Sequence, residues 1–174
     1  MWYTSWQMKY ACLVILLVGA LISPPVEAKG DEWRQYRGAW FEISYPDGFS
    51  IQENLPSATS DNGFDDVFFL SPDKQITFYV FSPQWSGTPD ERIWPNLNAE
   101  NIIKKFIKED GEITSTFFVV RAKDGSYWRI IEDQKAEETN TRRTFAFKYK
   151  DKQSYEKYRH TYEVFKGSLI QEAD

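Results

Sequence analysis

The sequence predicts an α+β fold in which an antiparallel β-sheet is sandwiched between amphipathic helices, an α-β-α sandwich. Three observations predict it. Short runs of β-branched and aromatic residues are joined by turns too short for a parallel crossover, so neighbouring strands must be antiparallel. Two segments carry apolar residues at helical spacing. Thr116–Val120 and Gln75–Phe81 are apolar or aromatic on both sides, which calls for cover on both faces of the sheet.

The elements follow in order. Trp33–Arg37 reads as a short lead-in strand or helix turn. Trp40–Tyr45 and Phe49–Gln52 read as an opening hairpin, with Phe41, Ile43 and Tyr45 on one face and Pro46-Asp47-Gly48 as the turn. Residues 53–65 are polar and contain Pro56 and Asn62-Gly63, the composition of a loop. Asp66–Leu70 and Gln75–Ser82 are strands joined by Ser71-Pro72-Asp73-Lys74. The irregular stretch 82–95 carries three prolines and a glycine. Asn98 then reads as an N-cap. Ala99, Ile102, Ile103, Phe106 and Ile107 fall on one helical stripe, with Lys104, Lys105 and Lys108 off it and Gly111 as the stop. Ile113–Ala122 and Tyr127–Asp133 are strands linked by Lys123-Asp124-Gly125. A polar turn leads to Thr144–Tyr149. Asp151 caps a last helix with apolar positions Tyr155, Tyr158, Tyr162, Phe165 and Leu169.

Length and composition narrow the function. The 174 residues suffice for one domain with a real core. Lys9 precedes the apolar run Ala11–Ile22, which ends in Ser23-Pro24-Pro25-Val26-Glu27-Ala28, the parts of a secretory signal peptide. Residues 1–28 are expected to be cleaved, leaving 29–174 as a single exported domain, periplasmic or secreted. The run is shorter than the roughly 20 residues that span a bilayer. Cys12, the single cysteine, falls inside that run, so the mature chain has no disulfide, thiol nucleophile or thiolate ligand. Cleavage removes one lysine and one glutamate and leaves the formal charge at −5. An acidic domain lacks the basic footprint of a nucleic-acid binder, and no membrane contact is expected after cleavage.

WFEISYPDGFSI, DVFFLSPD, ITFYVFSPQW and the terminal YEKYRHTYEVFKGSLI together resemble the PsbP-like group of small exported domains. In that group an FSIxYPxGF hairpin is followed by a strand bearing F-x-SP, and the chain closes on a helix ending near "SL". The resemblance spans about residues 33–172. The group includes oxygen-evolving accessory subunits of photosystem two, a nuclear Ran-binding relative and many bacterial envelope proteins. The resemblance implies an antiparallel sheet between helices and an accessory or binding role more often than catalysis. It transfers no functional residue.

Each candidate site has a plainer alternative. His160 is the single histidine and sits off the apolar stripe of the last helix, exposed, whereas a Ser-His-Asp triad needs an oriented, buried imidazole. Asp61-Asn62-Gly63-Phe64-Asp65-Asp66 offers oxygen ligands for a hard cation but lacks an EF-hand's spacing, and Asn-Gly is an ordinary turn. Glu132, Asp133 and Glu42 are available for paired-carboxylate chemistry, with a solvated surface as the plainer reading. Arg142-Arg143 with Lys148 and Lys150 forms a small basic strip that balances nearby acids, with an anion or partner site as the alternative. The 82–95 loop is the best functional candidate, because irregular loops of this length are often binding elements. Trp85, Arg92 and Trp94 suit stacking and hydrogen bonding to an aromatic or polar ligand, while both tryptophans folded back as a plug is the alternative. The expectation is a non-catalytic binding or accessory protein, with an unknown protein or small polar ligand as partner and no metal or cofactor. A carboxylate-dependent hydrolase and a signal-anchored envelope structural protein are the alternatives.

Overall fold

A computed structural model describes residues 32–172. The expected signal segment lies outside the described residues, and so does Cys12. Strands β1 (Trp33–Arg37) and β2 (Phe41–Pro46) pair antiparallel at the start of the domain. β3 (Ser50–Glu53), β4 (Asp66–Leu70) and β5 (Ile76–Phe81) follow, then a 3-10 turn at Glu91–Ile93. β6 (Glu100–Asp110), β7 (Ile113–Ala122), β8 (Trp128–Ala136) and β9 (Thr141–Tyr149) form a run of hairpins. α1 (Lys152–Gly167) and the short β10 (Ile170–Gln171) close the chain. The strands make two antiparallel sheets, one ordered β1-β2-β10 and one ordered β3-β4-β5-β9-β8-β7-β6.

Among the described residues, two sheets and one α-helix replace the expected sandwich. The WFEISYPDGFSI segment does form two strands, and Phe41, Ile43 and Tyr45 do share a buried face. They do not pair as a hairpin, however. β2 stays in the small sheet while β3 joins β4 in the large one. The Pro46-Asp47-Gly48 turn, with Gly48 at φ +82, therefore hands the chain from one sheet to the other.

The larger correction concerns the segment expected to be a helix after Asn98. It is β6, paired with β7 along its whole length. A bulge between Ile102 and Lys104 slips the alternation by one residue. The doublets Ile102-Ile103 and Phe106-Ile107 then fall at the i, i+4 spacing of a helix while belonging to both faces of a strand. Their β-branched and aromatic side chains suit a pleated surface. Gly111, read as a helix stop, is the left-handed residue (φ +61) of the two-residue β6–β7 turn.

Along β5, Ile76, Phe78 and Val80 face α1, and Thr77, Tyr79 and Phe81 face the other way. The first face is covered by α1 and the small sheet. Phe165 of α1 lies 5.1 Å from Phe78 and 5.3 Å from Phe69, and Tyr162 lies 4.8 Å from Phe147, centroid to centroid. The Asp151 cap is as expected, its carboxylate accepting from the Ser154 amide at 2.8 Å. Among the described residues no α-helix covers the second face. The segment 82–99 lies over it instead, burying Ile93 and packing Trp94 against a cluster of Tyr79, Phe81, Phe118, Val120 and Ile131. No helix among the described residues is long and apolar enough to cross a membrane.

Candidate functional site

The segment 82–99 does not seal the face it covers. Between it and the strands lies a cleft of about 580 Å³. Phe68 of β4, Thr77 and Tyr79 of β5, and Ala146 and Lys148 of β9 form its floor, and Arg92 and Trp94 form part of its roof. Alternation sets this arrangement: the residues of β5 and β9 that do not face α1 lie on the cleft's side of the sheet.

Two buried ion pairs hold the roof. Arg129 of β8 donates from Nε and Nη2 to both Glu100 carboxylate oxygens, at 2.8 and 2.7 Å. Its remaining donors reach the carbonyls of Arg92 at 2.8 Å, Ile93 at 3.1 Å and Trp94 at 3.2 Å. Glu100 also accepts from the Asn96 amide at 2.8 Å and the Tyr127 hydroxyl at 2.9 Å. Burial works to raise the Glu100 carboxyl, but the bonds from Arg129, Asn96 and Tyr127 hold it below the usual range. At the loop's other end Arg142 grips Asp133 through two bonds of 2.8 and 3.0 Å and donates to the Gly87 carbonyl. Thr144 completes that site with a 2.7 Å bond to Asp133. The Arg142 guanidinium lies 5.4 Å from the centroid of the Trp94 ring.

A third network fixes the turn before Trp94. Asp90 accepts from Arg92 Nε and the Arg92 amide, both at 2.8 Å. Asn54 joins it to buried Asp66, donating to Asp90 at 2.8 Å and to Asp66 at 3.1 Å. Asp66 further accepts from the Leu55 amide at 2.6 Å and the Tyr79 hydroxyl at 2.9 Å. The bond from Arg92 holds the Asp90 carboxyl down to about 2, against the opposing effect of burial. Burial pushes both the Asp66 carboxyl and the Tyr79 hydroxyl up.

Of the sequence-predicted residues, Arg92 and Trp94 line the cleft and Trp85 does not. Trp85 is 43% exposed on the loop's outer side, so the structure does not bring the two tryptophans into one site. Trp94 is half buried, with one face on the cluster and the cleft beside it. Asp66 is engaged by Leu55, Asn54 and Tyr79. Among the described residues no group of three or more His, Cys, Asp or Glu side chains is placed to hold a metal ion. His160 is exposed on α1. Glu132 and Asp133 point to opposite faces of β8, Asp133 into the Arg142 pair and Glu132 to Lys166 at 3.0 Å.

Sequence reasoning missed Arg129, Glu100, Tyr127 and Lys148 as cleft residues. The Lys148 ammonium sits 4.1 Å from the centroid of the Tyr127 ring. Among the described residues no side chain forms an ion pair or hydrogen bond with it. Burial lowers its pKa below the usual lysine value and neighbouring Arg129 adds to this, with Glu100 opposing.

Comparison with solved structures identifies the class of fold. The chain is similar to the solution structure of cyanobacterial PsbP (CyanoP) from Synechocystis sp. PCC 6803, with 10% identity and a TM-score of 0.50, over 83% of this chain and 95% of that one. A second similar structure is the Saccharomyces cerevisiae Ran-binding protein Mog1p, with 9% identity and a TM-score of 0.43, over 82% and 97%. The domain has the PsbP/Mog1 fold. No family model and no curated protein matches the chain.

Proposed function

We propose that this chain is a non-catalytic binding or accessory protein, exported to the periplasm or beyond, that takes a ligand in the cleft roofed by the 82–95 loop. The observation that carries this reading is a preformed concave site whose irregular roof is fixed by two buried arginine–carboxylate pairs. Such ordering has a cost. Burying ion pairs seldom adds net stability, whereas a fixed roof keeps an aromatic-lined space open between binding events. Arg92 and Trp94 contact the ligand from above, and Trp85 lies outside the contact. Of the two carboxylates that line the cleft, Glu100 is committed to structural hydrogen bonds, which leaves Glu91 without a free second acid for paired-carboxylate chemistry. The sequence resemblance to PsbP-like domains points the same way.

The test is a thermal-shift screen of small aromatic and polar fragments against the wild type, Arg92→Ala and Trp85→Ala. Fragments that raise the wild-type Tm should raise that of Trp85→Ala equally and that of Arg92→Ala by less than half as much. Equal shifts in all three proteins would place binding elsewhere.

A further inference from the structure

The cleft does not end at Lys148. A second depression of about 450 Å³ adjoins it, sharing Thr77, Tyr127 and Lys148 as common walls. The two halves differ in chemistry. The first is lined by the rings of Phe68, Tyr79 and Trp94 and by Ile93 and Ala146, and its arginines already face carboxylates: Arg92 pairs with Asp90 and Arg129 with Glu100. The second is lined by Lys74, Lys148 and Lys150 and contains no acidic residue. Among the described residues none of these three ammonium groups has an ion-pair or hydrogen-bond partner. In a chain of net charge −5, three unpaired lysines around one concavity are an anion-attracting feature set beside an apolar slot.

We infer that the joined depressions bind a small molecule with a flat apolar body and a single anionic head. The body lies in the slot bounded by Phe68, Tyr79 and Trp94, and the head, a carboxylate or an equivalent oxyanion, meets Lys148, with Lys74 and Lys150 beside it. Lys148 carries the specificity. It stands at the junction, and the Tyr127 face at 4.1 Å fixes its ammonium there without neutralising it. An aromatic ring supplies attraction but no counter-charge, so an incoming carboxylate supplies the missing hydrogen-bond acceptors. A neutral ligand of the same shape gains the slot and forgoes the charge-assisted bonds.

This inference rests on the cleft being the binding site and adds the ligand's chemistry, and the two fail differently. The probes are 2-naphthoate and its neutral counterpart 2-naphthamide, titrated by two-dimensional NMR into the wild type, Lys148→Gln and Lys148→Arg. Lys148 is on the cleft wall and in no core contact, so Lys148→Gln should fold. Naphthoate is expected to bind the wild type at least tenfold more tightly than naphthamide, shifting the amides of Thr77, Tyr127 and Ala146. Lys148→Gln should weaken naphthoate about tenfold and leave naphthamide unchanged, and Lys148→Arg should restore most of the difference. Equal binding of both probes at the cleft would overturn the anionic head while leaving the cleft as a site. Inorganic phosphate binding as tightly as naphthoate would overturn the apolar body. Shifts confined to other surfaces, or no binding of either probe, would overturn the inference and count against the cleft as well.

Discussion

Arg129 and Glu100 stand 29 residues apart in the chain, on β8 and at the start of β6, yet they form a buried, fully hydrogen-bonded pair. All five guanidinium donors are used, on a carboxylate and three loop carbonyls. Removing one partner strands the other. Arg129→Leu leaves the Glu100 carboxylate buried without its cation and should cost about 3–5 kcal/mol in urea unfolding, whereas Arg129→Leu with Glu100→Leu should recover much of that loss. A single variant no worse than the double would show that the pair is not coupled. Tyr162 poses the opposite case. Its hydroxyl is buried on α1 with no hydrogen-bond partner among the described residues. Tyr162→Phe should therefore leave stability unchanged or raise it by about 1 kcal/mol, read from the same unfolding curves. The Arg129 pair is not legible from residue type, because a charged residue in a strand looks solvent-facing until the register places it.

At the scale of elements, the sequence is most informative where one periodicity acts alone. β4, β5 and α1 follow from alternation and capping nearly to the residue. β6 does not, since the bulge at Ile103 and apolar side chains on both faces imitate a helical stripe. The consequence is an edge strand whose Ile103 and Ile107 are 54% and 56% exposed. Ile103→Lys and Ile107→Lys should each change unfolding free energy by less than about 0.5 kcal/mol and slow aggregation on heating, monitored by light scattering. A loss of several kcal/mol would mean that the strand is buried in the native protein. The 82–95 loop offers a pH test. Asp90 titrates at about 2 in the folded protein because Arg92 bonds it, against roughly 3.9 for a free aspartate. A depressed carboxyl contributes stability that is present above the unfolded value and lost as pH falls through the folded one. Hydrogen-exchange protection of the Arg92 and Trp94 amides should thus fall between about pH 4 and pH 2. In Asp90→Asn that step should be missing.

For the molecule as a whole, the short turns anticipated an antiparallel fold, which is present; one face of the large sheet is covered by α1 and the small sheet, the other only in part, by the segment 82–99. The sequence did not reveal that an irregular segment takes the place of a helix over part of that face. That substitution is what creates the site: a helix would have packed its apolar stripe flat on Tyr79, Phe118 and Val120, while a loop held at a few anchors leaves a cleft beside Trp94. Arg92 and Trp94, which line the cleft, drew attention in the sequence because they stand in an unusual loop. Lys148 stood out only as part of a basic strip, and Tyr127 and Arg129 not at all, because strand alternation alone cannot say which face stays open. The export half of the account is tested by the intact mass of the protein recovered from its native envelope, which should lack residues 1–28; full-length chain there would favour a retained anchor. Crystals soaked in a mixture of small aromatic acids test whether this protein binds its ligand in the cleft under the 82–95 loop. Ligand density is expected between Phe68, Tyr79 and Trp94, with the carboxylate at Lys148. Density on the β6 edge, beside Trp85 or nowhere on the protein would contradict it.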